Sequence, residues 1–423
     1  MRWVILTQYF PPEIGAPQVR LGAFARELVR AGEQVEVVTA LPNYPRGRIA
    51  PGYRGTFYRR EQWEGVSVHR LWLYASMGVG VGRLGNYASF AVTSIAGLLR
   101  CTRPDFLFIE SPPLSLAVPG VALGAAWGAR TILNVADLWP DSVREFGVLD
   151  DGFLLRMAGR LESWAYRHVT FVNAVTAGIR QTLVDRKHVP AGKVLFLPNG
   201  VDPVVFAPRP PDRQLIRELG LEGKKVILYA GTIGVAQGLD VALDAMERVR
   251  TLHQDVVLVV VGDGSDKARI VGRVEARGLG ETVRFLEPGP PEYVARLYSL
   301  AVAGLATLKG LPLFDGARPS KVFPALACGR PVIFSGSGEG ARLILGARAG
   351  LVAEPENARA LAEAVCQLVE NPGLASELGG NGRSYVEREC SWTKLVGDWL
   401  LEVKERTPSM PPASLVGPVR LGP

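Results

Sequence analysis

Residues 225–234, KVILYAGTIG, join a short apolar run to a turn that contains two glycines. A short apolar run bounded by glycine is typical of a buried strand. The pattern then predicts a helix over 239–252 and a second strand over 255–262. Strands that alternate with helices build parallel sheets, because parallel neighbours need a crossover connection. We therefore predict an α/β domain over 201–390.

The same alternation occupies the first half of the chain. A helix is predicted over 18–31, and strands are predicted over 3–7, 34–40, 105–110, 130–135, 169–173 and 193–197. Two open α/β sheets hold ligands in the cleft outside the carboxyl ends of their strands. The sequence thus predicts domains over 1–200 and 201–390, a helix over 391–406 that can pack back on the first domain, and a loose tail over 407–423.

The composition excludes several classes of protein. Of 423 residues, 48% are hydrophobic and 21% are charged, which differs strongly from a disordered chain. The four cysteines have no paired spacing, so neither a disulfide framework nor a zinc site is expected. The apolar stretches 84–99 and 111–129 are too short or too interrupted by proline to span a membrane, and the amino terminus lacks a secretory pattern. We expect a cytoplasmic protein.

Positive charge is concentrated in residues 43–103. This segment holds nine arginines and two glutamates, so it accounts for the whole formal net charge of +7. Aromatic residues alternate with the arginines, as expected where a surface meets anionic lipid head groups. The candidates for acceptor or membrane contact are Arg46, Arg54, Arg59, Arg60 and Tyr87. A solvated basic face is the alternative, and nucleic acid is disfavoured because no zinc-finger, RNP or basic heptad pattern accompanies the charge.

The turn after the strand at 225–230 suits a phosphate group. Gly231, Thr232 and Gly234 precede a helix expected to begin near Gln237, and glycine lets backbone N–H groups approach an anion. An ordinary strand-to-helix turn is the alternative. A literal G-x-G-x-x-G over 80–85 lies inside a domain among arginines, so we do not interpret it as a dinucleotide site.

Two cations stand at the start of a predicted helix further along the chain. Arg318 and Lys321 suit a diphosphate, whose charge exceeds what backbone dipoles neutralise. The alternative is a solvated basic helix start. No two aspartates are separated by a single residue, so a magnesium clamp of that kind cannot form and metal dependence is disfavoured.

Two carboxylates follow the predicted strand 130–135. Asp137 and Asp141 lie at the carboxyl end of that strand, where reacting groups of open α/β sheets are usually found. A hydrogen-bonded turn with a helix cap at Asp141 is the alternative.

Five stretches together resemble the retaining GT-B glycosyltransferases of family 4, over about residues 1–405. They are YFPPEIG at 9–15, LPNGVD at 197–202, GTIG at 231–234, VGDG at 261–264 and PSK at 319–321. Further stretches are similar to the subgroup that adds N-acetylfucosamine-type sugars during surface polysaccharide assembly. These are NYP at 43–45, GYR at 52–54, NY at 86–87 and DLWP at 137–140.

The resemblance implies two Rossmann-like domains that face each other across a cleft, the first for the acceptor and the second for the nucleotide sugar. It also implies transfer with retention of configuration and without a metal or other cofactor. The implied donor-binding residues are Gly15, Gly231, Thr232, Gly234, Gln237, Gly262, Arg318, Lys321, Gly338 and Glu339.

Four residues have implied catalytic roles. Arg318 and Lys321 would neutralise the departing diphosphate, and Asp137 would orient the acceptor or support an oxocarbenium-like transition state. Glu13 is a further candidate in the same cleft. The chain departs from the family where members usually carry two glutamates, an arginine, a lysine and a histidine. These positions read Gly316, Pro324, Thr232, Gln237 and Ala136, and Glu339 is the candidate for holding the ribose instead.

The expected function is transfer of an N-acetylhexosamine-type sugar from a UDP-linked donor to a polyprenyl-diphosphate-linked saccharide. The expected location is the inner face of the cell membrane, where the protein would be peripheral. Two alternatives stay open, which are a non-catalytic nucleotide-sugar-binding assembly subunit and a sugar-nucleotide epimerase.

Overall fold

The computed structural model describes residues 1–13, 15–44, 47–76, 80–139, 141 and 152–407. Within these residues the chain forms two α/β domains, each built on one sheet. The predicted restart of the strand–helix alternation in the second half is confirmed. Arg46 and the tail beyond residue 407 lie outside the described residues.

The first domain has an eight-stranded sheet in the described part of the chain, in the order β3-β4-β2-β1-β5-β6-β7-β8. Neighbouring strands are parallel except β3 and β4. The strands are β1 (Arg2–Leu6), β2 (Gln34–Ala40), β3 (Tyr58–Trp63), β4 (Val66–Leu71), β5 (Phe106–Ser111), β6 (Arg130–Val135), β7 (Phe171–Ala174) and β8 (Val194–Phe196). The helices are α1 (Ala16–Arg30), α2 (Val81–Leu98), α3 (Ala117–Trp127), α4 (Phe153–His168) and α5 (Ala177–Asp185).

The second domain has a parallel six-stranded sheet in the order β11-β10-β9-β12-β13-β14. Its strands are β9 (Lys225–Ala230), β10 (Val256–Val261), β11 (Val283–Leu286), β12 (Ala301–Thr307), β13 (Val332–Ser335) and β14 (Gly350–Ala353). Its helices are α6 (Arg213–Glu218), α7 (Asp240–Leu252), α8 (Lys267–Ala276), α9 (Pro291–Leu300), α10 (Val322–Ala327), α11 (Gly338–Gly346), α12 (Ala358–Glu370) and α13 (Pro372–Glu389). A last helix, α14 (Trp392–Arg406), follows.

Continuous apolar runs explain why these strands lie in the middle of their sheets. Every residue of β10, VVLVVV, is buried, and so is every residue of β5, FLFIES. Parallel sheets are covered by helices on both faces, so their strands carry apolar side chains on both sides rather than alternating with polar ones. The predicted bounds of β2, β6 and β9 agree with the structure for the same reason.

Three local features differ from the sequence prediction. The edge strand β3 was not predicted because its sequence, YRREQW, is mostly polar. The strand β14, GLVA, was not predicted because it has only 4 residues. The turn after β9 runs into a short 3₁₀ helix (Val235–Gln237), and α7 begins only at Asp240. Gly238 separates the two with a φ of 56°, a left-handed conformation that glycine adopts without strain.

The last helix, α14, packs into the core of the first domain rather than against the second. Trp399 is 1% exposed. Its ring lies 5.7 Å from Trp3, 5.4 Å from Phe24 and 6.1 Å from Phe108. The chain therefore crosses between the domains twice. The two crossings meet where Val201 N donates to the carbonyl of Cys390 at 2.9 Å.

A buried row of polar side chains joins α14 to the first sheet. Trp399 Nε1 donates to Asn173 Oδ1 at 2.9 Å, Asn173 Nδ2 to Asn134 Oδ1 at 2.7 Å, and Asn134 Nδ2 to Glu110 Oε2 at 2.8 Å. Arg20 of α1 pairs with the other oxygen of Glu110. The three strand residues are direct neighbours across β5, β6 and β7. The row thus fixes α14 at one register, because each buried polar group needs its partner.

No helix in the described residues combines the length and the apolar character that crossing a membrane requires.

Candidate active site

The two domains approach each other at the carboxyl ends of their parallel strands. Tyr44 follows β2 in the first domain and Asp263 follows β10 in the second. Burial raises the pKa of the Tyr44 hydroxyl, and the negative charge of Asp263 raises it further, which requires the two residues to be close. Elsewhere, Gly178 of α5 meets Gly316 so closely that a Cβ on Gly178 would lie 2.3 Å from the Gly316 Cα. The cleft expected from the sequence is therefore lined from both sides.

Lys321 lies at the carboxyl end of β9. It is the residue before α10, and its Nζ donates to Tyr229 Oη at 2.5 Å and lies 4.3 Å from the Tyr229 ring centroid. Burial lowers the pKa of Lys321 to about 7, and no carboxylate in the described part of the chain offsets this effect. Because no carboxylate pairs with this ammonium group, an anionic ligand could pair with it, and the bound anion would favour the charged form of Lys321.

Two glycine turns form the floor beside Lys321. Gly231 and Gly262 have φ values of 146° and 150°. A Cβ on Gly262 would lie 1.9 Å from the Gly231 carbonyl oxygen, and one on Gly231 would lie 3.4 Å from Lys321 Cε. Only glycine permits this approach. Gly234 N donates to Gln237 Oε1 at 3.0 Å, so these two predicted site residues also stabilise the turn itself.

The N-terminus of α7, which follows this turn, has a negatively charged residue of its own. Asp240 stands in the first turn of α7 and pairs with Arg269 and Arg273. No side chain of the described structure caps the N-terminus of α7. The turn 231–234, Lys321 and the N-terminus of α7 are therefore the groups placed to contact a phosphate.

Arg318 does not point to the same place as Lys321. Its guanidinium lies 4.8 Å from the Phe323 ring centroid and contacts Tyr385 Oη at 3.3 Å and Cys390 Sγ at 3.2 Å. Cys390 belongs to the junction between the domains, so Arg318 stacks at this junction. The aromatic ring and the junction hold the Arg318 guanidinium in this structure, and the expectation that both cations meet one diphosphate stays a prediction.

Glu339 bridges the two domains. It follows Gly338, whose φ is 69°, in the first turn of α11. Its Oε2 accepts from Gly178 N at 3.1 Å and its Oε1 from Ala177 N at 3.4 Å. The carboxylate therefore caps the N-terminus of α5 in the other domain. In this structure the predicted ribose ligand is engaged in an interdomain contact.

Glu13 holds the loop that carries Tyr44. Its Oε1 accepts from Asn43 N at 2.6 Å and from Tyr44 N at 2.7 Å. Burial raises the pKa of the Glu13 carboxyl, and these backbone hydrogen bonds oppose the shift. Gly15 lies beside it, where a Cβ would be 3.2 Å from Tyr44 Cε1. The two residues thus position the first domain's side of the cleft.

Asp137 is exposed at the carboxyl end of β6, as expected. Trp139 N donates to its carbonyl at 3.0 Å. The carboxylate of Asp141 pairs with Lys187 at 2.9 Å, and Lys187 also pairs with Glu162. Asp137 lies two residues after the last residue of β6 and is the nearer of the two to the strand edge.

Three of the arginines proposed for acceptor or membrane contact, Arg54, Arg59 and Arg60, are exposed, whereas Arg70 of the same segment is buried and Arg83 is half-buried. Arg54 donates to the carbonyl of Ile49, and Arg60 to Ser67 Oγ. Arg59 donates to the carbonyl of Gly52 and pairs with Glu61 at 3.1 Å. Tyr87 is directed inward and accepts a hydrogen bond from Arg83 at 2.9 Å. Tyr87 was a candidate from the sequence, whereas Arg83 was not. The only sequence signal for Arg83 is its position four residues before Tyr87.

Comparison with known proteins supplies the family context. Residues 15–200 match the model of the "Glycosyl transferase 4-like domain", and residues 212–385 match "Glycosyl transferases group 1". The chain is 29% identical over 330 residues to the putative colanic acid biosynthesis glycosyl transferase WcaI of Escherichia coli K12, covering 76% of this chain and 79% of that protein.

Two solved structures resemble the fold. Sucrose-phosphate synthase from Thermosynechococcus elongatus has a TM-score of 0.72 at 19% identity, with 96% of this chain and 98% of that chain covered. Anabaena Alr3699/HepE in complex with UDP-glucose has a TM-score of 0.70 at 16% identity, with 96% and 100% covered. The GT-B fold expected from the sequence is confirmed.

Proposed function

Because this chain is a glycosyltransferase with the GT-B fold, we propose that it moves an N-acetylhexosamine-type sugar from a UDP-linked donor to a polyprenyl-diphosphate-linked saccharide. The proposal includes retention of configuration, independence of metal, and a role in surface polysaccharide synthesis. The observation that carries it is Lys321, an ammonium group without a counter-charge beside the turns at Gly231 and Gly262.

The donor side of the proposal rests on these groups. A UDP-sugar carries two negative charges on its diphosphate, and cleavage of the sugar–phosphate bond adds charge to the departing UDP. Lys321 would neutralise that charge, so its effect would be larger in the transition state than in the ground state. The structural neighbour Alr3699/HepE was solved with UDP-glucose, which supports the choice of a UDP-linked donor. Arg318 would assist only if it left its stacking contact with Phe323.

The acceptor side rests on the position of Asp137 and on the surface of the first domain. Asp137, exposed at the carboxyl end of β6, would orient the acceptor hydroxyl or support the oxocarbenium-like transition state. Val92 and Ile95 of α2 are 68% and 40% exposed, and Leu99, the C-cap residue directly after the helix, is 62% exposed. Apolar side chains three and four residues apart form one face of a helix, and an exposed apolar face beside a basic segment suits an anionic bilayer.

A second candidate is a nucleotide-sugar-binding subunit without activity. It is favoured by Gly316 and Pro324, which stand where the resembling family usually carries glutamates. Gly316 packs directly against Gly178 of the other domain, which leaves no room there for a larger side chain.

The test is a turnover assay of the full chain with a panel of UDP-, GDP- and dTDP-sugars and a polyprenyl-diphosphate-linked saccharide. We expect transfer from a UDP-N-acetylhexosamine, an unchanged rate in EDTA, and a kcat lowered about 100-fold in Lys321→Ala, the range for a lost electrostatic stabiliser. Lys394→Ala is the control, because Lys394 pairs with Asp398 on the surface of α14.

Each other outcome points to a different function. Isomerisation of the donor without transfer indicates an epimerase, and donor binding without any turnover indicates a binding subunit. A Lys321→Ala variant with the wild-type kcat at saturating donor overturns the proposed role of Lys321.

A further inference from the structure

Arg83 is surrounded by tyrosines instead of carboxylates. It stands in the first turn of α2, where its guanidinium donates to Tyr9 Oη at 2.7 Å and to Tyr87 Oη at 2.9 Å. The guanidinium also lies 4.6 Å from the ring centroid of Tyr87 and 6.0 Å from that of Tyr9. Of the described side chains, Tyr9 and Tyr87 have the largest electrostatic effects on the pKa of Arg83, and Tyr44 interacts with it as well. The positive charge is thus held in place but not neutralised.

This cluster lies on the first domain's side of the cleft. Tyr9 follows β1 and Tyr44 follows β2, and their rings meet edge to face at 6.0 Å. Tyr44 is the residue that comes close to Asp263 of the second domain. Lys321 belongs to the second domain, so the two uncompensated cations approach the cleft from opposite sides.

The helix beneath Arg83 also lacks a negative group. The first turn of α2 contains no acidic residue, and no side chain caps its N-terminus. A cation in this turn is unfavourable for the helix dipole unless an anion is bound nearby.

A second polar atom beside the cluster lacks a partner. Gln8 is completely buried. Its Nε2 donates to Asn86 Oδ1 at 2.7 Å and lies 3.5 Å from Tyr9 Oη, while its Oε1 has no hydrogen-bond partner within the described structure. Buried polar atoms are nearly always hydrogen-bonded, so Gln8 Oε1 would accept from a hydroxyl group of the acceptor saccharide, because a phosphate offers no donor.

We infer that Arg83, held by Tyr9 and Tyr87, binds a phosphate group of the acceptor. A guanidinium presents parallel N–H donors that match phosphate oxygens, and Arg83 keeps donor capacity beyond its two tyrosine bonds. The inference deepens the proposed function, since it assigns one residue to the diphosphate of a polyprenyl-linked acceptor. The exposed apolar face of the same helix, α2, would meet the lipid part.

Binding of geranyl diphosphate to the full chain by calorimetry tests this site without relying on turnover. Saturating UDP is present throughout, so that the donor side is occupied. We expect Arg83→Gln to weaken geranyl diphosphate binding about 10-fold to 100-fold, as expected for loss of a charged hydrogen bond. Arg100→Gln is the matched control, because Arg100 also stacks on a tyrosine of this domain, at 4.9 Å from Tyr58. Tyr87→Phe keeps the ring but removes one hydroxyl that holds Arg83, and it should weaken binding by a smaller factor.

Two results would overturn the inference. Equal binding of geranyl diphosphate by Arg83→Gln and the wild type is the first, and an equal loss in Arg100→Gln is the second. Vesicle sedimentation then identifies the source of the phosphate when the first result is found. If Arg83→Gln fails to sediment with phosphatidylglycerol vesicles but binds geranyl diphosphate normally, Arg83 contacts a phospholipid head group instead. If Arg83→Gln does not fold, the Tyr87→Phe measurement decides alone.

The binding experiment and the turnover assay can contradict the Arg83 site and the proposed function independently of each other. A wild-type chain that binds geranyl diphosphate through Arg83 but transfers no sugar contradicts the proposed function and leaves this site standing. If the wild-type chain transfers sugar and Arg83→Gln binds geranyl diphosphate normally, the proposed function stands and the Arg83 site is contradicted.

Discussion

At the scale of single residues, Lys321 and Arg318 differ in the groups that they contact. Both cations were recognised in the sequence because they flank a predicted helix start. Their directions could not be predicted, because Tyr229 is 92 residues from Lys321 and Cys390 is 72 residues from Arg318. Arg83 was missed for a similar reason, since Tyr9 lies 74 residues away. Local patterns identify residue types, whereas contacts between distant residues determine which charge lacks a partner.

The lowered pKa of Lys321 has a consequence for donor binding. At a pKa of about 7, the free protein loses the Lys321 charge as the pH rises through neutrality. A bound diphosphate favours the charged form, so UDP-glucose affinity should decrease as the pH rises from 6 to 9. Calorimetry over this pH range should show that trend in the wild type and not in Lys321→Met. A parallel trend in both proteins would assign the pH dependence to another group.

At the scale of secondary-structure elements, the glycine turns after β9 and β10 illustrate what sequence can indicate. Gly231 was predicted to let the backbone approach a phosphate, and Gly262 was a candidate for donor binding, and both stay predictions. The structure shows in addition that the two turns approach each other, since Gly262 meets the Gly231 carbonyl, and the sequence does not indicate this pairing. Strand β3 was missed because its charged residues, YRREQW, lie at an edge where apolar side chains are not required.

We expect Gly262→Ala to destabilise the second domain by at least about 2 kcal/mol, because the new Cβ would meet backbone atoms at a φ that favours glycine. Gly272→Ala is the matched control. It lies in α8 with nothing within 4 Å of an added Cβ, so it should stabilise the protein by about 1 kcal/mol or less. Urea unfolding measures both changes, and equal stabilities of the two variants would contradict the packing of the turns.

Helix α14 provides a second test at this scale. Trp399→Ala removes a buried ring in contact with three aromatic rings, and a cost of about 3–5 kcal/mol is expected. Leu401→Ala on the same helix should change stability by less than about 0.5 kcal/mol, since Leu401 is 62% exposed. Urea unfolding followed by tryptophan fluorescence measures both. Similar losses in the two variants would show that α14 does not belong to the core of the first domain.

At the scale of the whole molecule, the charge distribution distinguishes the two domains. The arginines of residues 43–103 that the structure describes lie on the first domain, and its helix α2 exposes an apolar face. The sequence predicted this asymmetry because charge can be counted without a fold. The apolar face could not be predicted, because exposure depends on which side of α2 packs against β2, β4 and α3.

Reversal of this charge should release the protein from anionic vesicles. Each basic residue near such a surface contributes about 1 kcal/mol, and salt screens the effect. We expect the triple variant of Arg54, Arg59 and Arg60 to Glu to sediment weakly with phosphatidylglycerol vesicles. The control reverses an equal charge on the second domain, at Arg213, Arg248 and Arg388, and should sediment as the wild type does. Equal release by both variants, or binding that ignores salt, would show that the basic segment is an ordinary solvated surface.

The place of Trp399 in the first domain also affects how the protein is made. The ribosome completes residues 1–200 well before it reaches α14, and at typical synthesis rates the interval is about 10–40 s. During that time the aromatic surface formed by Trp3, Phe24 and Phe108 has no covering helix. The nascent first domain therefore passes through a stage in which it presents a surface suited to chaperones. It reaches its mature core only after the entire second domain has been synthesised.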